Sequence, residues 1–176
     1  MRELIENLLF LAKSDADRLP LTLTGINLSE LLEETLLTFE PVAFEQGILI
    51  DSEIAPDLKL TADTAQMKQL VMILLDNAVK FTPEYGIVKV NMAEEGSSVQ
   101  VTVTNSGSVI APEDRERIFQ KFYQTDRSHA TEGHGIGLAV VKRVVELHRG
   151  TVSVSSEENA TTFTVVLPGG RGCEEM

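Results

Sequence analysis

The stretch Gly133-His134-Gly135-Ile136-Gly137-Leu138 sets three alternate glycines where a polar loop becomes an apolar helical run ending near His148. Without Cβ atoms, such a turn lets backbone N–H groups approach a ligand closely. The first turn of a helix adds unpaired N–H groups and the positive end of the helix dipole. Together they suit phosphate oxygens, although plain loop-to-helix turns use the same residues. The flanks exclude two familiar phosphate-binding architectures. A dinucleotide fold requires a strand just before the glycines, whereas residues 124–132 are polar and read as loop. A P-loop requires Lys-Ser or Lys-Thr after its last glycine, whereas Leu138-Ala139 follow here. The rest of the chain has to supply a third context.

A chain of 176 residues fits one ordinary domain with room for an appendage. Fifteen basic against 27 acidic residues give a formal charge of −12. That charge argues against a nucleic-acid partner, and it means that a bound phosphate needs local donors and a metal ion. The lone Cys173 has no internal disulfide partner, and no run of about 18 apolar residues is present to cross a membrane.

Met1 to Asp15 reads as a helix with Leu4, Leu8 and Leu11 on one face and Ile5, Leu9 and Ala12 beside it. Taken alone, it either packs on its own domain or ends a longer helix that belongs to a bundle. Arg18 to Gly25 reads as a linker or an irregular strand. Asn27 with Glu30 caps a second helix, which Pro41 should kink or break in its regular hydrogen bonding and Gly47 should end. Ile48–Ile54 and Leu58–Thr61 read as strands. Asp63 with Gln66 caps a helix whose core stripe is Met67, Leu70, Val71, Leu74, Ala78 and Phe81. At about 100° per residue, Ile73, Asn77 and Lys80 share the flank of that stripe, and Asp76 points almost opposite the core. Asn77 and Lys80 are either a solvated flank or a pocket wall offering an oxygen ligand and a cation. Ile87–Ala93 and Val99–Thr104 alternate as an antiparallel pair, which Asn105–Ser108 breaks. A short helix begins at Ala111, and Phe119 and Phe122 form a small apolar plug. The helix after the glycines buries Leu138, Val141, Val144, Val145 and Leu147, and Gly150 stops it. Thr151–Ser155 and Thr161–Leu167 close as a hairpin.

In this order the blocks resemble, over about residues 27–168, the catalytic ATP-binding domain of sensor histidine kinases, in the superfamily that also holds gyrase-type and chaperone-type ATPases. Leu74 to Pro83 resembles its N box and Asn105 to Ile110 stands at its G1 position. Ile118 to Tyr123 resembles its F box, Gly133 to Leu138 its G2 box, and Thr161-Thr162-Phe163 its final-strand motif. The resemblance implies an α+β fold of the Bergerat type, a two-layer sandwich of about five mixed strands with three helices on one face. It divides the chain into 1–20, the end of the second helix of a dimerisation and phosphoacceptor bundle plus linker; 21–168, the ATP-binding domain; and 169–176, a polar tail. The implied ligands are ATP and Mg²⁺. Asn77 would be catalytic and ligate the metal, Lys80 would be catalytic and neutralise phosphate charge, and Asn105 would read adenine. Phe81, Gly107, Val109, Ile110, Phe122, Gly133, His134, Gly135, Ile136, Gly137, Leu138, Thr161 and Thr162 would complete the nucleotide site. Residues 123–134 would form a mobile ATP lid pinned by Phe119 and Phe122.

Three positions depart from the family pattern. Asn105 stands for an Asp, keeping a carbonyl acceptor without the charge. Val109 stands for the second G1 glycine, and Ile73 for an Asn one turn before Asn77. The activity implied is transfer of the ATP γ-phosphoryl group to a histidine on a bundle absent from this chain. None of His129, His134 and His148 lies in an acceptor-like sequence, and Met1 to Ala12 resembles the end of that bundle. The alternatives are a nucleotide-binding pseudokinase, favoured by the three departures, and an anti-sigma-type serine kinase or ATPase. The partners implied are the protein's own bundle, a response regulator acting through it, and a second copy in a full-length homodimer, with no nucleic acid. The location implied is the cytoplasmic side of a membrane-anchored bacterial receptor.

Overall fold

The computed structural model describes residues 2–125 and 133–169. Helix α1 (Arg2–Asp15) is followed by β1 (Leu23–Asn27), α2 (Leu28–Glu45), β2 (Leu49–Ile54), β3 (Lys59–Asp63) and α3 (Thr64–Phe81). Then come β4 (Ile87–Glu95), β5 (Ser98–Ser106), and two short 3-10 turns, Pro112–Asp114 and Arg117–Phe119. Helix α4 (Gly137–Leu147), β6 (Thr151–Glu157) and β7 (Ala160–Pro168) complete the order.

Five strands form a mixed sheet in the order β2-β4-β5-β7-β6. β2 and β4 are parallel, as the intervening β3–α3 crossover allows, and the other neighbours are antiparallel. Strand side chains alternate between faces. One face carries Val88, Val90 and Met92 of β4, Val99, Val101 and Val103 of β5, and Phe163, Val165 and Leu167 of β7, none more than 5% exposed. The second layer is made of α2, α3 and α4, whose buried Leu32, Leu70, Leu74, Val140, Val141 and Val144 join that face in one core. This is the two-layer α+β sandwich expected, with three helices on one face.

A second, two-stranded sheet pairs β1 with β3, in place of a linker or irregular strand up to Gly25. The Asp63 carboxylate organises this corner. One oxygen accepts the Thr22 N–H at 3.0 Å, and the other caps α3 through the Gln66 N–H at 3.1 Å. The Asp63 N–H donates to Nε2 of His148 at 3.0 Å, which leaves the proton of that imidazole on Nδ1, 2.7 Å from the Val144 carbonyl. His148 thereby ties the end of α4 to the start of α3.

Three local expectations are corrected. Helix α2 runs through Pro41 to Glu45. The donor that Pro41 lacks would have served the carbonyl of Leu37, whose residue is 63% exposed and open to water. Strand β5 continues through Asn105 to Ser106, so Asn105 is paired with Val88 and Thr161 rather than set in a loop. Helix α4 is terminated by Arg149, which takes the left-handed conformation at φ 59°, and not by Gly150. Gly150 is needed for space: a Cβ there would lie 2.3 Å from the Val166 carbonyl oxygen.

Helix α1 packs on the domain. Leu11 and Ser14 are buried, Leu4 and Leu8 are partly buried against the core, and Ile5 and Leu9 stand out at 55% and 52% exposure. Arg143 of α4 donates to the Ser14 carbonyl at 2.6 Å, and Gln69 of α3 donates to Asn7 at 2.8 Å. Lys121 pairs with Asp15 at 2.5 Å, and its hydrogen bond holds that carboxyl below its usual pKa. The stripe of Leu4, Leu8 and Leu11 is therefore the face turned inward.

Gly150→Ala should cost about 1–3 kcal/mol through overpacking against backbone. Gly25→Ala, where an added Cβ meets nothing within 4 Å, should stay within about 0.5 kcal/mol. Urea unfolding midpoints of the two variants check this, and equal midpoints would contradict the crowding at Gly150.

Candidate functional site

The cleft lies where β5 ends and β7 begins, between the middle of α3 and the start of α4. Its floor continues the inward rows of the sheet. Asn105 follows Val99, Val101 and Val103 in the row of β5, and Thr161 opposite it starts the row of Phe163, Val165 and Leu167. Both are buried polar residues, at 3% and 1% exposure, so each needs partners. The Asn105 amide N–H donates to Ser108 Oγ at 2.7 Å. Its carbonyl oxygen has no donor among the described residues, and the residue lines the cleft. Thr161 Oγ1 donates to the Ser108 carbonyl at 2.9 Å, so its other contact, Ser156 Oγ at 2.8 Å, must be the donor. Ser156 Oγ in turn accepts the Ile110 N–H at 2.9 Å. This relay fixes the 108–110 loop, which places Val109 and Ile110 along the wall. Gly107 takes φ +83°, and a Cβ there would meet the Pro83 ring at 2.4 Å. It shapes the loop without lining the cleft.

The other end of the cleft is built from helices. Ile73, Asp76, Asn77, Lys80 and Phe81 project from α3. The Asn77 amide has no hydrogen-bond partner among the described residues. Lys80 Nζ lies 2.8 Å from the Asp76 carboxylate, with both side chains about half exposed. Asp76 thus lines the cleft. Its angle lies opposite the core stripe, as expected, but the cleft reaches far enough around α3 to include it.

Facing them, Gly133, His134, Gly135, Gly137 and Leu138 lead into α4. No side chain caps this helix at Ile136, and its first internal bond is Val140 N–H to the Ile136 carbonyl. The N–H groups of Gly137, Leu138 and Ala139 therefore have no acceptor among the described residues. Buried Ile136 anchors the turn. Gly135, at φ +69°, accepts the Phe122 N–H at 2.9 Å, and a Cβ there would lie 2.7 Å from the Tyr123 carbonyl oxygen. Ile73 packs beside Gly137, its Cγ2 3.1 Å from where a Cβ would stand.

Of the residues named from sequence, Asn77, Lys80, Phe81, Asn105, Val109, Ile110, Gly133, His134, Gly135, Gly137, Leu138 and Thr161 line one cleft. Gly107, Phe122, Ile136 and Thr162 do not. Thr162 falls on the opposite face of β7, where it bonds Thr104 at 2.8 Å, as strand alternation requires. Phe122 is 66% exposed at φ 64°, so the apolar plug is Phe119 alone, edge-on to Phe163 with ring centroids 6.2 Å apart. Residues 126–132, most of the expected lid including His129, lie outside the described residues, as does the tail from 170. Sequence reasoning did not name Asp76, Ser108, Ile118 and Phe163 as site residues, whereas Tyr123, Gln124 and Thr125 belong to the expected lid. The Tyr123 hydroxyl donates to Asp114, which raises the phenol's pKa. Ser108 lies inside the Asn105–Ile110 block at the G1 position, which was the signal available for it.

Comparison with known proteins agrees with this geometry. The chain belongs to the histidine kinase-, DNA gyrase B- and HSP90-like ATPase family, whose family model matches residues 62–171, and within it to the ATP-binding catalytic domains of sensor histidine kinases. The sensor histidine kinase CusS of Escherichia coli is 34% identical over 170 residues, covering 96% of this chain and 35% of its own length. Full-length ShkA, solved in complex with AMPPNP, is 32% identical with a TM-score of 0.84 over 96% of this chain and 35% of its own. Histidine kinase ThkA, solved in complex with the response regulator protein TrrA, is 28% identical with a TM-score of 0.77 over 96% of this chain and 48% of its own. The chain spans about a third of the length of CusS. No helix among the described residues is long and apolar enough to cross a membrane.

Ser156→Ala removes both the acceptor of the Ile110 N–H and the donor to Thr161. It should destabilise the domain by about 1–3 kcal/mol. Ser155→Ala, exposed on the same strand, should stay within about 0.5 kcal/mol. Indistinguishable chemical-denaturation midpoints for the two variants would refute the relay.

Proposed function

We propose that this domain binds Mg²⁺ and ATP and transfers the γ-phosphoryl group to a histidine on a dimerisation bundle of the same protein. The observation that carries this reading is the meeting in one cleft of four things: an uncapped helix N-terminus, a lysine, an unpartnered asparagine amide and a buried amide on the sheet floor. The carbonyl oxygen of Asn105 suits the exocyclic amino group of adenine. The Gly137, Leu138 and Ala139 N–H groups suit phosphate oxygens. Lys80, the one Lys or Arg among the described lining residues, supplies positive charge in an otherwise acidic domain.

The donor set fits Mg²⁺. No group of three or more His, Cys, Asp or Glu is assembled for a metal among the described residues. A hard cation that keeps several waters and shares substrate oxygens needs few protein ligands, and the Asn77 amide oxygen would be one of them. When bound, Mg²⁺ would neutralise charge on the phosphates. The chain's own residues supply position and electrostatics. A histidine nitrogen forms the new N–P bond as the bond from the γ-phosphorus to the bridging oxygen breaks, and ADP leaves.

Within this reading, residues 1–20 end the second helix of the bundle and its linker. Ile5 and Leu9, one turn apart and half exposed, are the apolar positions of α1 left for that bundle. The full-length protein is then a homodimeric, membrane-anchored receptor with this domain in the cytoplasm, and the bundle passes the phosphoryl group to a response regulator. The ThkA complex with TrrA supports such a partner.

Asn77→Ala should weaken binding of Mg-ATP by about tenfold or more and leave metal-free ATP binding nearly unchanged. Calorimetric titration with Mg²⁺ or with chelator separates the two, and equal losses would remove the metal-ligand role. The chain incubated alone with γ-labelled Mg-ATP should gain no stoichiometric acid-labile phosphate. Adding a matched histidine-bearing bundle should produce it slowly, because the tether's effective concentration is missing. Acid-labile label on the lone chain would instead make one of its own histidines the acceptor.

A further inference from the structure

Asp76 has no part in the reading above, yet it stands in the cleft wall beside Asn77 and one turn before Lys80. Its carboxylate holds Lys80 Nζ at 2.8 Å. Lys80 is the one Lys or Arg among the described lining residues, and Asp76 the one Asp or Glu. The cleft that has to take a polyanion therefore presents its lysine paired with a carboxylate. Among the described residues the surroundings do not correct this. The groove that continues past Lys80 towards α1 adds Glu3 and Glu6 against a single Lys68, and the chain as a whole carries −12.

We propose that Asp76 is a specificity-determining residue that makes the cleft discriminate against nucleotide carrying no divalent cation. The inference rests on the reading of the cleft as a nucleoside triphosphate site. A bare triphosphate meets Asp76 as a like charge and must also compete with it for Lys80. A cation-bearing triphosphate brings its own neutralising charge, so the same carboxylate opposes it less. The Asp76–Lys80 pair is suited to such an exchange. It joins positions i and i+4 on one helix with both side chains about half exposed, and pairs of that kind are weakly held. An Asp there with only a helix-stabilising role would leave discrimination untouched, because its loss would shift the folded state equally for both forms of the nucleotide.

The test is calorimetric titration of ATP into the wild-type chain, Asp76→Asn and Asp76→Ala, each with excess Mg²⁺ and with excess chelator, after thermal unfolding has identified which variants are folded. Asp76 is half exposed, so both substitutions are compatible with the fold. Metal-free ATP should bind the variants about five- to tenfold more tightly than wild type, the size of one screened charge–charge interaction. Mg-ATP affinity should change less than about twofold, so the preference for the metal-bearing form shrinks by nearly the whole gain. The same preference in wild type and both variants would overturn the inference while leaving the nucleotide site standing. A wild-type chain that binds ATP in neither condition would overturn the functional reading and this inference together.

Discussion

The two-residue period of β4, β5 and β7 is the constraint on which the rest depends. It collects valines, Met92, Phe163 and Leu167 on one face, where α2, α3 and α4 bury them. The same period then runs past the apolar residues and delivers Asn105 and Thr161 into the cleft. The row that builds the core thus also builds the floor of the site. A one-residue slip of β5 against β7 would turn Asn105 to the face that carries Thr162 and take it out of the cleft.

Burying two polar residues at the end of an apolar row demands hydrogen bonds for each. The structure meets that demand locally. Ser108 serves Asn105 and receives the Thr161 hydroxyl through its own carbonyl. Ser156 links Thr161 to the Ile110 N–H. Because every hydroxyl in the relay has one hydrogen, the directions are forced, and the 108–110 loop is held by the same bonds that satisfy the floor. Asn159, in the left-handed turn between β6 and β7, adds its carbonyl to the Gly107 N–H at 2.7 Å.

Among the described residues, the favourable electrostatics of the site are gathered at its helical end. An acidic domain repels a polyanion, and the lysine facing the cleft is shared with Asp76. What remains is the first turn of α4, whose N–H groups are kept open because Ile136, an apolar residue buried as an anchor, stands where a capping side chain would compete. The open N–H groups of α4 and the paired Lys80 thus stand at the same end of the cleft.

Much of this was legible in the residues. Alternation located β4, β5 and the closing hairpin, and Asn27 and Asp63 marked two helix starts that the hydrogen bonds bear out. The ordered boxes named twelve residues that meet in one cleft. These features are local: spacing along a helix or strand decides which side a residue faces, and capping reaches only three residues. What the tertiary structure decided was everything that joins distant segments. Asp76 enters the site because the cleft extends around α3, which no helical wheel reveals. Phe122 leaves it because a left-handed backbone turns its ring outward. Leu4, Leu8 and Leu11 turn inward and Ile5 and Leu9 outward because Arg143, Gln69 and Lys121, far along the chain, fix how α1 lies. Sequence sets the pattern on each element; only the packing of elements against one another sets which part of that pattern meets solvent, core or ligand.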